Sequence, residues 1–242
     1  MIPIKDNIPR VHPSWAVWAI IAVNGVVFLY QTTLDNRQLF LFVHSFGMVP
    51  ARLTFPDMAR AMGYPDMPFL SLATHMFLHG GWLHFLLNMW MLWIFADNIE
   101  DIMGPFRFLV FYLLCGIAAA GLEYAVAPRS GLPVIGASGA IAGVLGAYFM
   151  LYPHAKVLTL VPLVFIPLFF DIPAFLFLLI WIFVQIVSGL ASLNGSGESI
   201  AWWAHIGGFA SGIGLVRVFR VKSRCYYCFE NLANKEMNGD LN

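Results

Sequence analysis

"VIGASGAIAGVLGAY" (Val134–Tyr148) decides how this chain folds. It lies in a strongly apolar stretch, yet four glycines and four alanines stand where leucine or phenylalanine would enter lipid more readily. Gly139 and Gly143 form a GxxxG pair, and Gly136 and Gly146 extend the same small face. Such faces let helix backbones approach closely in lipid, where large apolar side chains gain little by meeting one another. A second GxxxG, Gly208 and Gly212, follows directly after His205. The pattern predicts that these two segments touch, and that their contact brings the Ser138 hydroxyl within hydrogen-bond reach of the His205 ring.

The rest of the chain is of the same character. Of 242 residues, 60% are hydrophobic and 11% charged, with a mean hydropathy of +0.77; a soluble domain is about 45–50% apolar and about 25% charged. The composition is that of an integral membrane protein. Its 13 basic and 13 acidic residues cancel, so no global field favours nucleic acid. Three cysteines make no disulfide framework. Cys225 and Cys228 form a single CxxC, half of a zinc site, and read as ordinary thiols. No metal or cofactor is expected.

A spanning helix needs about 20 mostly apolar residues. Six segments qualify, giving an all-α, polytopic membrane protein: Trp15–Thr33, Trp82–Asp97, Phe106–Ala127, Val134–Leu151, Ala174–Leu193 and Ala201–Phe219. The second is expected to begin earlier, near Leu72. The chain divides into an N-terminal segment (1–14), a six-span core (15–219) and a polar tail (220–242). The first apolar run follows a polar start with Lys5, Asp6 and Arg10 and reads as a retained anchor, not a cleaved signal. Pro162, Pro167, Asp171 and Pro173 break the apolar run from Val157 to Leu193, so only its latter half is a span; the former half lies at the interface or re-enters. Leu34–Gly81, with Pro50, Pro56, Pro65 and Pro68, is more than a simple hairpin and packs against the bilayer or the helices.

Orientation follows from lysine and arginine placement. With both termini in the cytoplasm, inner segments hold nine of these residues and outer segments four, all arginine. Spans two, four and six then run inward in parallel. His84 and Asn88, Ser138, and His205 fall near their outer ends, within a few turns at about 1.5 Å per residue. Each polar residue alone has a bland reading, as interhelical glue or a packing residue. Four at one depth, from three parallel helices, favour a site.

The chemistry that suits them is acyl transfer to water. A serine hydroxyl becomes a nucleophile when a base takes its proton. His205 is the candidate base for Ser138. Attack on a carbonyl creates an oxyanion that needs donors aimed at it. The Ser138 backbone N–H lies near a helix start, where amides lack intrahelical partners. His84 and Asn88, four apart on one helix face, can both donate.

These residues resemble the rhomboid family of intramembrane serine proteases, over about Leu70 to Val218. "HMFLHGGWLHFLLNMW" is similar to the family's second-span signature, with His84 and Asn88 at its histidine and asparagine positions. "GASGAIAGVLGAY" resembles the G-x-S-G nucleophile motif and "WWAHIGGFASG" the A-H-x-G-G motif. The resemblance implies a six-helix rhomboid-like bundle with a Ser138–His205 dyad and an oxyanion site including His84 and Asn88. It implies cleavage of single-span membrane substrates near the outer face, without a cofactor. The fifth span would be the lateral gate and Leu193–Ser199 a flexible cap. His75 and His79 also match the signature and are assigned structural or water-organising roles.

Two departures stand out. "PFLSLATH" lacks the Trp-Arg that some members carry before the first histidine. Ala142 stands where some members have a tyrosine stacked on the base, leaving Trp202 or Trp203 to hold the His205 ring.

Rival readings fare worse. A zinc protease needs H-E-x-x-H, and Met76 stands at the glutamate position between His75 and His79. An aspartyl intramembrane protease needs paired aspartates, and Asp171 is single. A non-catalytic rhomboid-like binding protein would usually lack the nucleophile or the base. A histidine-using proton carrier would more often show paired acidic residues or repeated halves. A bacterial inner membrane is the expected location, given the compact form and no organellar targeting signal; the oligomeric state is not legible.

Overall fold

The computed structural model describes residues 1–65, 68–163, 166–193 and 200–229. A short strand β1 (Ile2–Asp6) precedes helix α1 (Trp15–Thr33). The following connection carries α2 (Asn36–Phe46), α3 (Pro50–Thr54), α4 (Pro56–Ala61) and α5 (Ser71–Thr74), with 3-10 turns at Pro68–Leu70 and His75–Phe77. Then come α6 (Trp82–Met103), α7 (Pro105–Val126) and α8 (Ser138–Leu151). A hairpin of β2 (Lys156–Leu163) and β3 (Ile166–Pro173) leads into α9 (Ala174–Ser192), and α10 (Trp202–Phe219) follows. Helices α1, α7 and α9 are long and apolar enough to cross a membrane, and α8 is a shorter apolar helix of 14 residues. The protein is an integral, multi-pass, predominantly α-helical membrane protein.

Helix α8 is the axis of the bundle. Every residue from Gly139 to Tyr148 is buried, as expected of a helix that is apolar all round. Its small face meets α10 backbone to backbone. A Cβ at Gly208 would fall on the Gly139 carbonyl oxygen, and one at Gly212 on the Gly143 carbonyl oxygen. On the other side α7 closes in: a Cβ at Gly139 would stand 2.7 Å from the Ala119 Cβ. The glycines are therefore needed on both flanks.

Two helix starts differ from the sequence reading. The second long helix begins at Trp82, not near Leu72, because Leu78 leaves the helical region and Gly81 is extended. Residues before it form only α5 and a 3-10 turn. Helix α8 begins at Ser138, not Val134. Val134 instead exchanges backbone hydrogen bonds with Met48 at 3.0 and 2.8 Å, and Gly136 takes a φ of 122° that disfavours any other residue. Helix α6 also runs to Met103, beyond Asp97, until Gly104 (φ 76°) and Pro105 end it.

The acidic end of α6 is occupied by the N-terminal segment. Helix α1 has no side-chain cap of its own. Glu100 supplies one, accepting from the Ala16 and Val17 N–H groups at 2.9 and 2.8 Å and so satisfying amides that a helix start leaves free. Asp101 accepts from Val11 and His12 N–H at 2.7 and 3.0 Å. Asp6 accepts from Asn98 Nδ2 at 2.7 Å and from the Tyr148 hydroxyl at 2.5 Å.

Residues 157–170, left open between an interfacial and a re-entrant course, lie mostly in the hairpin. It joins β1 in an antiparallel sheet of order β1-β2-β3, with Asp6 opposite Val157 and Lys156 opposite Pro173. Pro162 lies beyond Leu160, where pairing to β1 ends, and faces Pro167. A missing N–H is tolerated at such an edge.

The connection before α6 is folded. Asp35 and Gln38 make a capping box on α2. Arg52, 5% exposed, donates to the carbonyls of His44 and Ser45 and lies 4.7 Å over the Tyr64 ring. Cys225 and Cys228, read as two thiols, are a disulfide. The turn after Lys222–Arg224 brings their Cα atoms to 5.3 Å, within bridging range. The expected cap, Leu193–Ser199, falls outside the described residues apart from Leu193.

Candidate active site

Ser138 is the first residue of α8, and no side chain caps that helix. Its N–H and those of the next two residues have no carbonyl a turn behind them to bond. The Ile141 N–H is the one that reaches back, to the Ala137 carbonyl at 3.0 Å. The loop before Ser138 is held by the Gly136 N–H, which donates to the His75 carbonyl at 2.9 Å. Ser138 thus stands at a helix start that the preceding loop fixes in place.

Across the glycine contact stands His205, in the first turn of α10. Its Nε2 lies 2.8 Å from Ser138 Oγ. Glu123 of α7 accepts from the Ala204 N–H at 3.0 Å, capping α10 beside the histidine. On the far side of the ring, Nδ1 lies 2.7 Å from Gln185 Oε1 of α9. Trp181 of α9 and Trp202 of α10 flank the ring at 6.0 and 6.2 Å between centroids. Trp203, the other expected support, turns toward Gly189, whose added Cβ would lie 3.4 Å from its Cε2.

His84 is on the same side as Ser138. Its Nδ1 accepts from the Gly80 N–H at 3.3 Å, so in the neutral ring the proton sits on Nε2. That nitrogen overlies Gly136: a Cβ built there would be 2.7 Å from His84 Nε2 and 3.6 Å from Ser138 Oγ. A donor therefore points into the space beside the hydroxyl. Asn88, 6% exposed, is one turn further along α6 and donates through Nδ2 to the His84 carbonyl at 2.9 Å. Among the described residues it makes no hydrogen bond to Ser138 or His205.

His75 and His79 frame this region. The His75 Nδ1 lies 3.1 Å from the Ser71 carbonyl. The His79 backbone is clamped by Gln31 of α1, whose Oε1 accepts at 3.0 Å and whose Nε2 donates at 3.2 Å. The His79 ring packs edge-on to His84 at 5.2 Å. Among the described residues, no group of three or more His, Cys, Asp or Glu is placed to hold a metal ion.

Gln185, Glu123 and Trp181 escape the sequence reading. Gln185 carried a usable signal: an amide inside "FLLIWIFVQIVSG" is costly in lipid and needs a partner. Glu123, a carboxylate within an apolar helix, is a signal of the same kind.

A multi-pass bundle with these motifs in this order belongs to one class. The chain is a member of the rhomboid family, whose Rhomboid domain matches residues 68–222. It is 28% identical over 219 residues to Rhomboid protein 1, mitochondrial, of Saccharomyces cerevisiae, covering 84% of this chain and 53% of that protein. It is 27% identical over 144 residues to the presenilin-associated rhomboid-like protein, mitochondrial, of Bos taurus, covering 57% of this chain and 34% of that protein. The putative rhomboid protease YdcA of Bacillus subtilis is 34% identical over 90 residues, 37% of this chain and 45% of that protein. The chain thus spans from about a third to about half the length of these relatives.

Proposed function

We propose that this protein is an intramembrane serine endopeptidase that cleaves single-span membrane proteins near the outer membrane face. Six helices would cross the bilayer: α1, α6, α7, α8, α9 and α10. The observation that carries the reading is the 2.8 Å approach of Ser138 Oγ to His205 Nε2, made by residues 67 apart in sequence on two helices in backbone contact.

In this mechanism His205 Nε2 takes the Ser138 proton as Oγ attacks the scissile carbonyl. The new oxyanion is met by the helix-start amide of Ser138, by His84 Nε2–H and by the second N–H of Asn88. His205 then returns its proton to the leaving amine, and the acyl-enzyme forms. Water, activated by the same base, attacks the ester and regenerates Ser138.

The short α8 supports the depth of the site. Fourteen residues span about 21 Å at ~1.5 Å per residue, against about 30 Å of hydrocarbon. With its C-terminus at the inner face, Ser138 lies below the outer surface. Backbone amides free at that depth require a cavity that admits water. The lysine and arginine bias, nine against four, supports both termini in the cytoplasm, and the compact six-span form favours a bacterial inner membrane.

The test is cleavage of a panel of tagged single-span proteins by purified wild-type, Ser138→Ala and His205→Ala protein. Cleavage by the wild type alone is expected. A folded wild type that binds but never cleaves would support a non-catalytic binding protein instead.

A further inference from the structure

The hydrogen-bond chain behind His205 leads to a third helix. Gln185 Nε2 donates to the Trp181 carbonyl at 3.3 Å, one turn back on α9. Its other amide atom, Oε1, therefore faces His205 Nδ1 at 2.7 Å. Reversing the amide would set Oε1 against the Trp181 carbonyl oxygen, two acceptors with no hydrogen between them. An amide oxygen carries no proton, so the one in the Gln185–His205 bond belongs to Nδ1. A neutral imidazole has a single N–H, and Nε2 is left bare toward Ser138. The opposite tautomer would leave Nδ1 and Oε1 as two facing acceptors in a buried place, and Gln185 is 6% exposed. It would also set an N–H against the serine hydroxyl, unable to take its proton.

We propose that Gln185 is a positioning residue that holds His205 as the Nδ1–H tautomer, so that the base is ready only while α9 is seated against α10. The inference rests on the reading of Ser138 as nucleophile and His205 as base. Neither of those residues is on α9. The carbonyl, amide, imidazole and hydroxyl run as one chain from Trp181 to Ser138, across three helices. A shift of α9 away from α10 breaks its middle bond and releases the ring to either tautomer, with the dyad's two helices still in contact.

The experiment uses the full chain purified in detergent and a fluorophosphonate as the serine-directed probe. Nitrogen-15 spectra of histidine-labelled wild-type protein are expected to show His205 protonated at Nδ1 and bare at Nε2. Gln185→Met keeps the side-chain length and helix preference but replaces the amide oxygen with a thioether sulfur, a far weaker acceptor. It is expected to slow labelling of Ser138 about 10²-fold at saturating probe, with the half-saturating concentration unchanged. Gln185→Glu retains an acceptor at the same reach and is expected to recover most of the rate. A wild-type His205 protonated at Nε2, or wild-type labelling by Gln185→Met, would overturn the proposal; if Gln185→Met does not fold, the wild-type spectrum decides. Failure of the wild type to label at Ser138 would sink the protease reading instead, a result distinct from either.

Discussion

Gly208 rests so closely against Gly139 that a Cβ on it would fall on the Gly139 carbonyl oxygen. That contact sets the distance between the helix of Ser138 and the helix of His205. Neither backbone has a flexible side chain to move aside. Gly208→Ala is therefore expected to destabilise the protein by about 1–3 kcal/mol, the usual cost of overpacking, and to lower the proposed proteolytic activity by parting Ser138 from His205. Thermal unfolding in detergent checks it. A midpoint equal to wild type would mean that the helices are free to separate at no cost. Gly25 is the control, since a Cβ there meets nothing within 4 Å.

In the proposed reaction, Asn88 would meet the developing oxyanion. Its Nδ2 already bonds the His84 carbonyl, which orients the amide and leaves one N–H for the oxyanion that the proposed reaction would form. Asn88→Ala is expected to lower kcat by about 10²-fold with little change in KM. Steady-state kinetics on a tagged substrate measure both. Equal losses of kcat and stability would reassign Asn88 to helix packing.

Asp6 gives the N-terminal sheet a pH dependence. Burial pushes its carboxyl up to about 6, and hydrogen bonds from Tyr148, the Ile8 N–H and Asn98 oppose the shift only in part. A raised folded-state value means that the folded form binds the proton more tightly than the unfolded one. The stability this contributes is fully present below the ordinary carboxylate range and is lost as pH rises through about 6. Wild-type protein should therefore lose more stability between pH 4 and 7.5 than Asp6→Asn, whose side chain does not titrate. Parallel melts at the two pH values test this; identical losses would contradict it.

The sequence makes the glycine faces legible because close backbone approach in lipid admits few residue types. Ser138 and His205 follow, since each adjoins such a face. The start of α8 is not legible: Val134–Ala137 is as apolar as a helix, and only the bridge to Met48 and the φ of Gly136 reveal a loop. The β2–β3 hairpin is hidden for a related reason. Its residues are apolar on both faces, so no alternation marks it. Glu100 and Asp101 lie past the end of the second span as read from sequence, and the backbone amides they accept from are 83 to 90 residues away, a pairing that no side-chain pattern announces. Gln185 belongs with these: its partner His205 is named by motif, but the geometry joining them is tertiary.

The most direct measurement of the central claim is site-resolved labelling and cleavage by the purified full chain. Wild-type protein is expected to react with a fluorophosphonate at Ser138 alone and to cleave a tagged single-span membrane protein, whereas folded Ser138→Ala and His205→Ala do neither. Cleavage by Ser138→Ala at the wild-type rate would contradict the account.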